Sequence, residues 1–168
     1  VRKSLATFQG VRRRQEIIGE PRGITIIEDF AHHPTAVKET IQAIQNKYAG
    51  RKVYSVFEPR SATSRRRIFQ KEYLEAFRGG HEVLIAEAFD QVKIDSKERF
   101  SAQELVTELV LSGGDAQSFS GADTIVSYLG RVAKPHDVIL IMSNGGFDGI
   151  YQKLLKRLEV EQIEQVAT

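Results

Sequence analysis

Three short stretches hold most of the residues able to do chemistry. In "IIEDFAHHPTA" (26–36) an apolar run ends at Asp29, and His32, His33 and Pro34 follow. A carboxylate in that place accepts hydrogen bonds from a ribose or an ammonium, ligates a metal, or pairs with an arginine such as Arg14. Histidines donate to phosphate or bind metal, and His33 also stands where it would cap a helix. Neighbouring histidines lack the i, i+4 spacing that lets two rings on a helix share one ion, so metal chelation by the pair is weakly supported. "EPRSATS" (58–64) offers Arg60 and the hydroxyls of Ser61, Thr63 and Ser64 just before a predicted helix. That set suits an anionic group, because helix N-termini add N–H donors and a positive dipole end; the plain alternative is a loop with a serine cap. "SNGGFDG" (143–149) has glycines where backbone must approach something closely, either a ligand-facing turn with accessible N–H groups or a tight turn before a docking helix.

Such loops act together only if the strands before them end on one edge. In open α/β sheets ligands bind beyond the carboxyl ends of the strands. The patterning supplies those strands. "RQEIIGEPRGITIIED" reads as a hairpin turning at Gly19–Gly23, with its second strand near Ile24–Glu28. Pro34 opens a helix at no cost, since its missing N–H has no intrahelical partner; Val37, Ile41, Ile44 and Tyr48 share one face and Gly50 ends it. "KVYSVF" (52–57), "EVLIA" (82–86), "AQSF" (116–119) and "DVILIM" (137–142) read as further strands. Between them fall a helix capped by Ser64 and running to Arg78, one started by the capping box "SAQE" at Ser101, and one carrying Ile125, Leu129 and Val132. A last helix carries Leu154, Leu155 and Leu158, and the final residues are expected to fray. Residues 87–100 show no clear pattern. Strands alternating with helices predict an α/β domain of three layers, Rossmann-like, with a mostly parallel sheet and an initial β-hairpin.

The bulk figures bound the function classes. With 168 residues, 41% apolar and 27% charged, the chain has the composition of one soluble globular domain. No apolar run is long enough to span a membrane. A formal net charge of +2 argues against bulk nucleic-acid binding. The absence of cysteine excludes disulfides and thiolate metal sites, and it fits a cytoplasmic protein. Arg12–Arg14 and Arg65–Arg67 form basic clusters that meet either phosphates or neighbouring glutamates. No G-x-x-x-x-G-K-[ST], G-x-S-x-G or H-E-x-x-H occurs, and "SNGGFDG" is not G-x-G-x-x-G, so any triphosphate site here is half a site.

Taken in order and spacing, "GVRRRQE" (10–16), "EDFAHHPTAV" (28–37) and "SNGGFDGIYQKLL" (143–155) resemble the C-terminal domain of the Mur ligases, the ATP-dependent amide-forming enzymes of peptidoglycan assembly. The resemblance runs from about residue 8 to 158. It divides the chain into a linker from a missing upstream domain (1–9), the domain proper (10–158) and a C-terminal tail (159–168). "EPRSATS" and "MSNGGF" look most like the muropeptide-recycling branch, which joins L-Ala-γ-D-Glu-meso-diaminopimelate to UDP-N-acetylmuramate through an acyl phosphate. The L-alanine-adding branch is the alternative; it carries His-Arg where this chain has Arg60-Ser61.

The resemblance implies a domain that closes over ATP and presents the acceptor to an upstream central domain, which holds the P-loop and Mg2+ ligands, and to a UDP-sugar-binding domain. By motif, Arg14 (phosphate), Asp29 (ribose) and His32 belong to the nucleotide, with His33 as a further candidate. Arg60, Ser61, Thr63, Ser143, Asn144, Gly145 and Gly146 belong to the acceptor peptide. No metal site and no complete catalytic set is expected within the chain, nor a nucleic-acid or membrane partner, and the chain alone is expected not to catalyse. Two other classes compete. One is a free-standing module that binds a nucleotide or phosphorylated sugar without chemistry. The other is a metal-dependent hydrolase built on Asp29, His32 and His33, which lacks further ligands because only His81 and His136 remain.

Overall fold

The computed structural model describes the backbone of residues 13–166 and the side chains of residues 13–159. The residues before Arg13, including the start of "GVRRRQE" and the expected linker, lie outside that range. Six strands form one sheet: β1 (Glu16–Gly19), β2 (Thr25–Asp29), β3 (Val53–Phe57), β4 (Glu82–Ala86), β5 (Ala116–Phe119) and β6 (Val138–Met142). Their order across the sheet is β1-β2-β6-β3-β4-β5. Only the β1–β2 hairpin is antiparallel; the other four pairings are parallel. Among the described residues five α-helices connect and cover them: α1 (Pro34–Lys47), α2 (Gln70–Phe77), α3 (Ala102–Leu111), α4 (Ala122–Val132) and α5 (Ile150–Val166). The α/β expectation and its initial hairpin are met.

The inner strands β2, β6, β3 and β4 are largely apolar on both faces because both faces are covered. Alternate residues sort cleanly to the two sides. Ile27, Val53, Phe57, Leu140 and Met142 pack with α1, α2 and α3. Ile26, Tyr54, Val56, Ile139 and Ile141 pack with α4 and α5. The topology explains the split. From β2 through β5 the chain steps one way across the sheet, and right-handed crossovers put α1–α3 on one face. The return from β5 to β6 runs the opposite way, so α4 lands on the other face, where α5 joins it. Strand β6 therefore sits between β2 and β3 but sends its exit loop to the opposite face. A crevice opens where neighbouring loops part in this way.

One local expectation needs correcting, and one alternative, a His33 cap, is not realised. Ser64 is fully buried and does not cap a helix. Its N–H and hydroxyl both bond to Ser61, whose Oγ lies 2.9 Å from Ser64 N and 2.8 Å from Ser64 Oγ. This local turn competes with helix formation, Arg66 then bridges to Arg99, and α2 begins only at Gln70. His33 occupies the N-cap position of α1 but makes no side-chain cap bond; its ring packs edge-on against Phe69, with centroids 5.1 Å apart. Ser101 does cap α3, accepting from Glu104 N at 3.1 Å, an interaction typically worth about 1 kcal/mol. The last helix extends past residue 158, through Val166.

Candidate functional site

Asp29, Phe57 and Met142 are aligned by the parallel register of β2, β6 and β3, so the three candidate loops leave one rim. They are also bonded to one another there. Ser143 N donates to Asp29 O at 3.1 Å, and Glu58 N donates to Met142 O at 3.1 Å. The rim carries two clefts, one on each side of the 143–146 loop.

The first cleft, about 470 Å³, is lined by Arg14, Gln15, residues 29–33, and Ala36, Glu39, Thr40 and Ala43 of α1. Its loop is held almost entirely by backbone partners. Asp29, 6% exposed, does not pair with Arg14. Its Oδ2 accepts from Gln15 N at 3.0 Å, and its Oδ1 accepts from Ala31 N at 2.7 Å and Thr40 Oγ1 at 3.5 Å. A carboxylate has about four acceptor directions, so one on Oδ2 remains for a ligand hydroxyl. His32 Nδ1 lies 3.0 Å from Phe30 O. A carbonyl only accepts, so the proton sits on Nδ1 and Nε2 is the nitrogen left over. Tyr73 OH donates to His32 O; burial pushes that phenol's pKa up, which keeps it a donor. Arg14 is exposed at the cleft and makes no bond to the described residues. Flanking Arg13 and Gln15 have φ of +60° and +49°, conformations that cost a non-glycine residue energy.

The second cleft, about 620 Å³, lies on the α4–α5 side and is lined by Glu58, Arg60, residues 86–89, Ser120–Ala122 and Gly146–Gly149. Arg60 is its central cation. NH1 donates to Glu58 Oε1 at 3.2 Å, and the guanidinium carbon lies 3.9 Å from the centre of the Phe89 ring. The side chain runs across Gly145 so closely that a Cβ there would sit 2.0 Å from Arg60 Cδ. Glycine is needed at 145 for that approach. Nε and NH2 of Arg60 have no hydrogen-bond partner among the described residues.

Between the clefts, the loop after β6 is bonded from both sides. Arg13 Nε donates to Glu28 Oε1 at 2.6 Å, and NH2 donates to Ser143 O at 3.2 Å and Gly145 O at 2.7 Å. Burial works against the Arg13 charge, but the bond to Glu28 and its negative charge outweigh this and raise the pKa. Ser143 is fully buried. Its hydroxyl donates its one proton to Glu58 Oε2 at 2.5 Å and accepts from Gly145 N at 3.0 Å.

The sequence-predicted residues thus separate into groups. Arg14, Asp29, His32 and His33 come together at the first cleft, and Arg60 and Gly146 at the second. Ser143, Asn144 and Gly145 line neither cleft; among the described residues Asn144 Oδ1 is buried without a partner. Ser61 and Thr63 bond to each other at 3.1 Å within their own turn and line neither cleft. Sequence reasoning missed Arg13, Glu58 and Phe89. Glu58 opened a quoted motif directly after a strand, which was a usable signal. Nothing in three consecutive arginines distinguishes Arg13, and Phe89 falls in the patternless segment. Arg65, Arg66 and Arg67 are engaged with Phe89 O and Asp90 O, Glu98 and Glu104. Among the described residues no group of three or more His, Cys, Asp or Glu could hold a metal ion, and no helix is long and apolar enough to cross a membrane.

Comparison with known proteins bears on family and fold. The family model "Mur ligase, glutamate ligase domain" matches residues 13–145. A UDP-N-acetylmuramate–L-alanyl-gamma-D-glutamyl-meso-2,6-diaminoheptandioate ligase of Escherichia coli K12 is 36% identical over 92% of this chain and 32% of its own length. A UDP-N-acetylmuramate–L-alanine ligase of Desulfitobacterium hafniense Y51 is 30% identical over 92% of this chain and 34% of its own. The chain therefore spans about a third of the length of these relatives. Among solved structures, a murein peptide ligase from Psychrobacter arcticus 273-4 superposes with a TM-score of 0.76 at 33% identity, covering 94% of this chain and 32% of that one. A domain assigned to a UDP-N-acetylmuramate:L-alanyl-gamma-D-glutamyl-meso-diaminopimelate ligase of Haemophilus ducreyi 35000HP gives 0.64 at 34% identity, covering 86% of this chain and 99% of that one.

Proposed function

Because the chain belongs to the Mur ligase family, we propose that it is the C-terminal domain of an ATP-dependent ligase that joins L-Ala-γ-D-Glu-meso-diaminopimelate to UDP-N-acetylmuramate, a cytoplasmic step of peptidoglycan recycling. The observation that carries this reading is the pair of clefts on one rim, separated by a single bonded loop. The Asp29 cleft takes the nucleotide. Arg14 meets phosphate, the remaining acceptor direction of Asp29 takes a ribose hydroxyl, and His32 Nε2 stands at the edge. The Arg60 cleft takes the acceptor peptide, with Nε and NH2 of Arg60 reading a carboxylate as a forked donor pair. The 36% relative is named for the tripeptide and the Psychrobacter neighbour is named a murein peptide ligase, which favours a peptide acceptor over free alanine.

ATP supplies the phosphoryl group that activates the muramoyl carboxylate; this chain's residues hold the nucleotide's sugar and phosphate edge and orient the incoming amine. Magnesium is assigned to ligands outside this chain, as are the P-loop and the UDP-sugar site. The isolated chain is accordingly expected to release no phosphate from ATP in the presence of UDP-N-acetylmuramate and tripeptide. In the complete ligase, tripeptide should outcompete L-alanine as acceptor; preferential ligation of L-alanine would assign the domain to the alternative branch.

A further inference from the structure

We infer that Glu58 is a positioning residue that sets Arg60 for the acceptor's carboxylate; the inference rests on the assignment of the Arg60 cleft to the acceptor. Glu58 follows β3 directly, and its side chain is only 6% exposed. A buried carboxylate is costly unless its oxygens are engaged, and both are, by different loops. Oε2 accepts from Ser143 Oγ at 2.5 Å, and Oε1 accepts from Arg60 NH1 at 3.2 Å.

These bonds close a ring. Glu58 holds Ser143, Ser143 accepts from Gly145 N, and Gly145 leaves the surface over which Arg60 passes. Fastening one loop to the other needs only one neutral acceptor, which glutamine would supply. The second oxygen, and the charge, act on Arg60. A free arginine has many rotamers. Glu58 at one end, Gly145 on one side and the Phe89 ring on the other restrict this one, leaving Nε and NH2 without a bond to the described residues. The one proton of the Ser143 hydroxyl is already given to Glu58, so the first contact with an acceptor carboxylate falls to Arg60.

Glu58→Gln in the complete ligase keeps an oxygen for Ser143 and turns a donor toward Arg60. Steady-state kinetics should show KM for the tripeptide rising about tenfold, in line with a lost charge-assisted bond, while KM for ATP moves by less than about twofold. In an Arg60→Ala background the same substitution should add less than about twofold to the tripeptide KM, because Glu58 acts through Arg60. Gly145→Ala leaves Glu58 intact and displaces Arg60, and it should reproduce the selective rise. Additive effects of Glu58→Gln and Arg60→Ala, a parallel rise in KM for ATP, or a wild-type tripeptide KM in Gly145→Ala each overturn the inference alone. An unchanged tripeptide KM in Arg60→Ala removes the acceptor assignment, and this inference with it.

Discussion

The Asp29 cleft and the Arg60 cleft share a rim and are built in opposite ways. Around Asp29 most partners are backbone groups or lie near in sequence: Gln15 N, Ala31 N, Phe30 O and Thr40 in the second turn of α1. The charged group that faces out, Arg14, is left without a partner among the described residues. Around Arg60 only Glu58 is near in sequence; Phe89 comes from the loop after β4 and Gly145 from the loop after β6. A cleft shaped by its own loop tolerates change elsewhere in the chain. A cleft shaped by three loops depends on each of them, so substitutions remote from Arg60 in sequence should reach it.

That contrast orders the expected effects. Gly145→Ala should be the most damaging, raising the tripeptide KM of the complete ligase about tenfold to a hundredfold by expelling Arg60, while ATP affinity measured by titration is little changed. Arg14→Ala should do the reverse, raising KM for ATP about tenfold with the tripeptide KM near wild type; equal effects on both substrates would erase the distinction between the clefts. Arg13→Ala should blur it. Arg13 ties Glu28 to the carbonyls of Ser143 and Gly145, so both KM values should rise about threefold to fivefold, and chemical denaturation should show a loss of about 1–2 kcal/mol. Tyr73→Phe should have the smallest effect. It removes the donor to His32 O and should lower stability by about 1 kcal/mol, with at most a slight change in KM for ATP and none for tripeptide.

Much of the first cleft was legible in the residue order. Asp29 at a strand end, a short loop, then Pro34 at the start of a helix specify a local turn, and local turns follow from local chemistry. Even there, of the alternatives open for Asp29, pairing with Arg14 is not the one found. Arg14 offers charge, but a carboxylate 6% exposed is better satisfied by fixed N–H groups that the turn already aims at it. Ser64 was misread for a related reason: a serine before a helical stripe has the pattern of a cap, and nothing in the pattern shows that Ser61 engages it first.

The elements, their alternation and the rim where ligands belong follow from hydrophobic period and turn residues, because those act over a few positions along the chain. The insertion of β6 between β2 and β3, the parting of the loops into two clefts and the meeting of Glu58, Arg60, Phe89 and Gly145 do not. They depend on contacts between residues as far as 132 positions apart, and only the packed sheet, with its crossovers all of one hand, brings such residues within bonding distance.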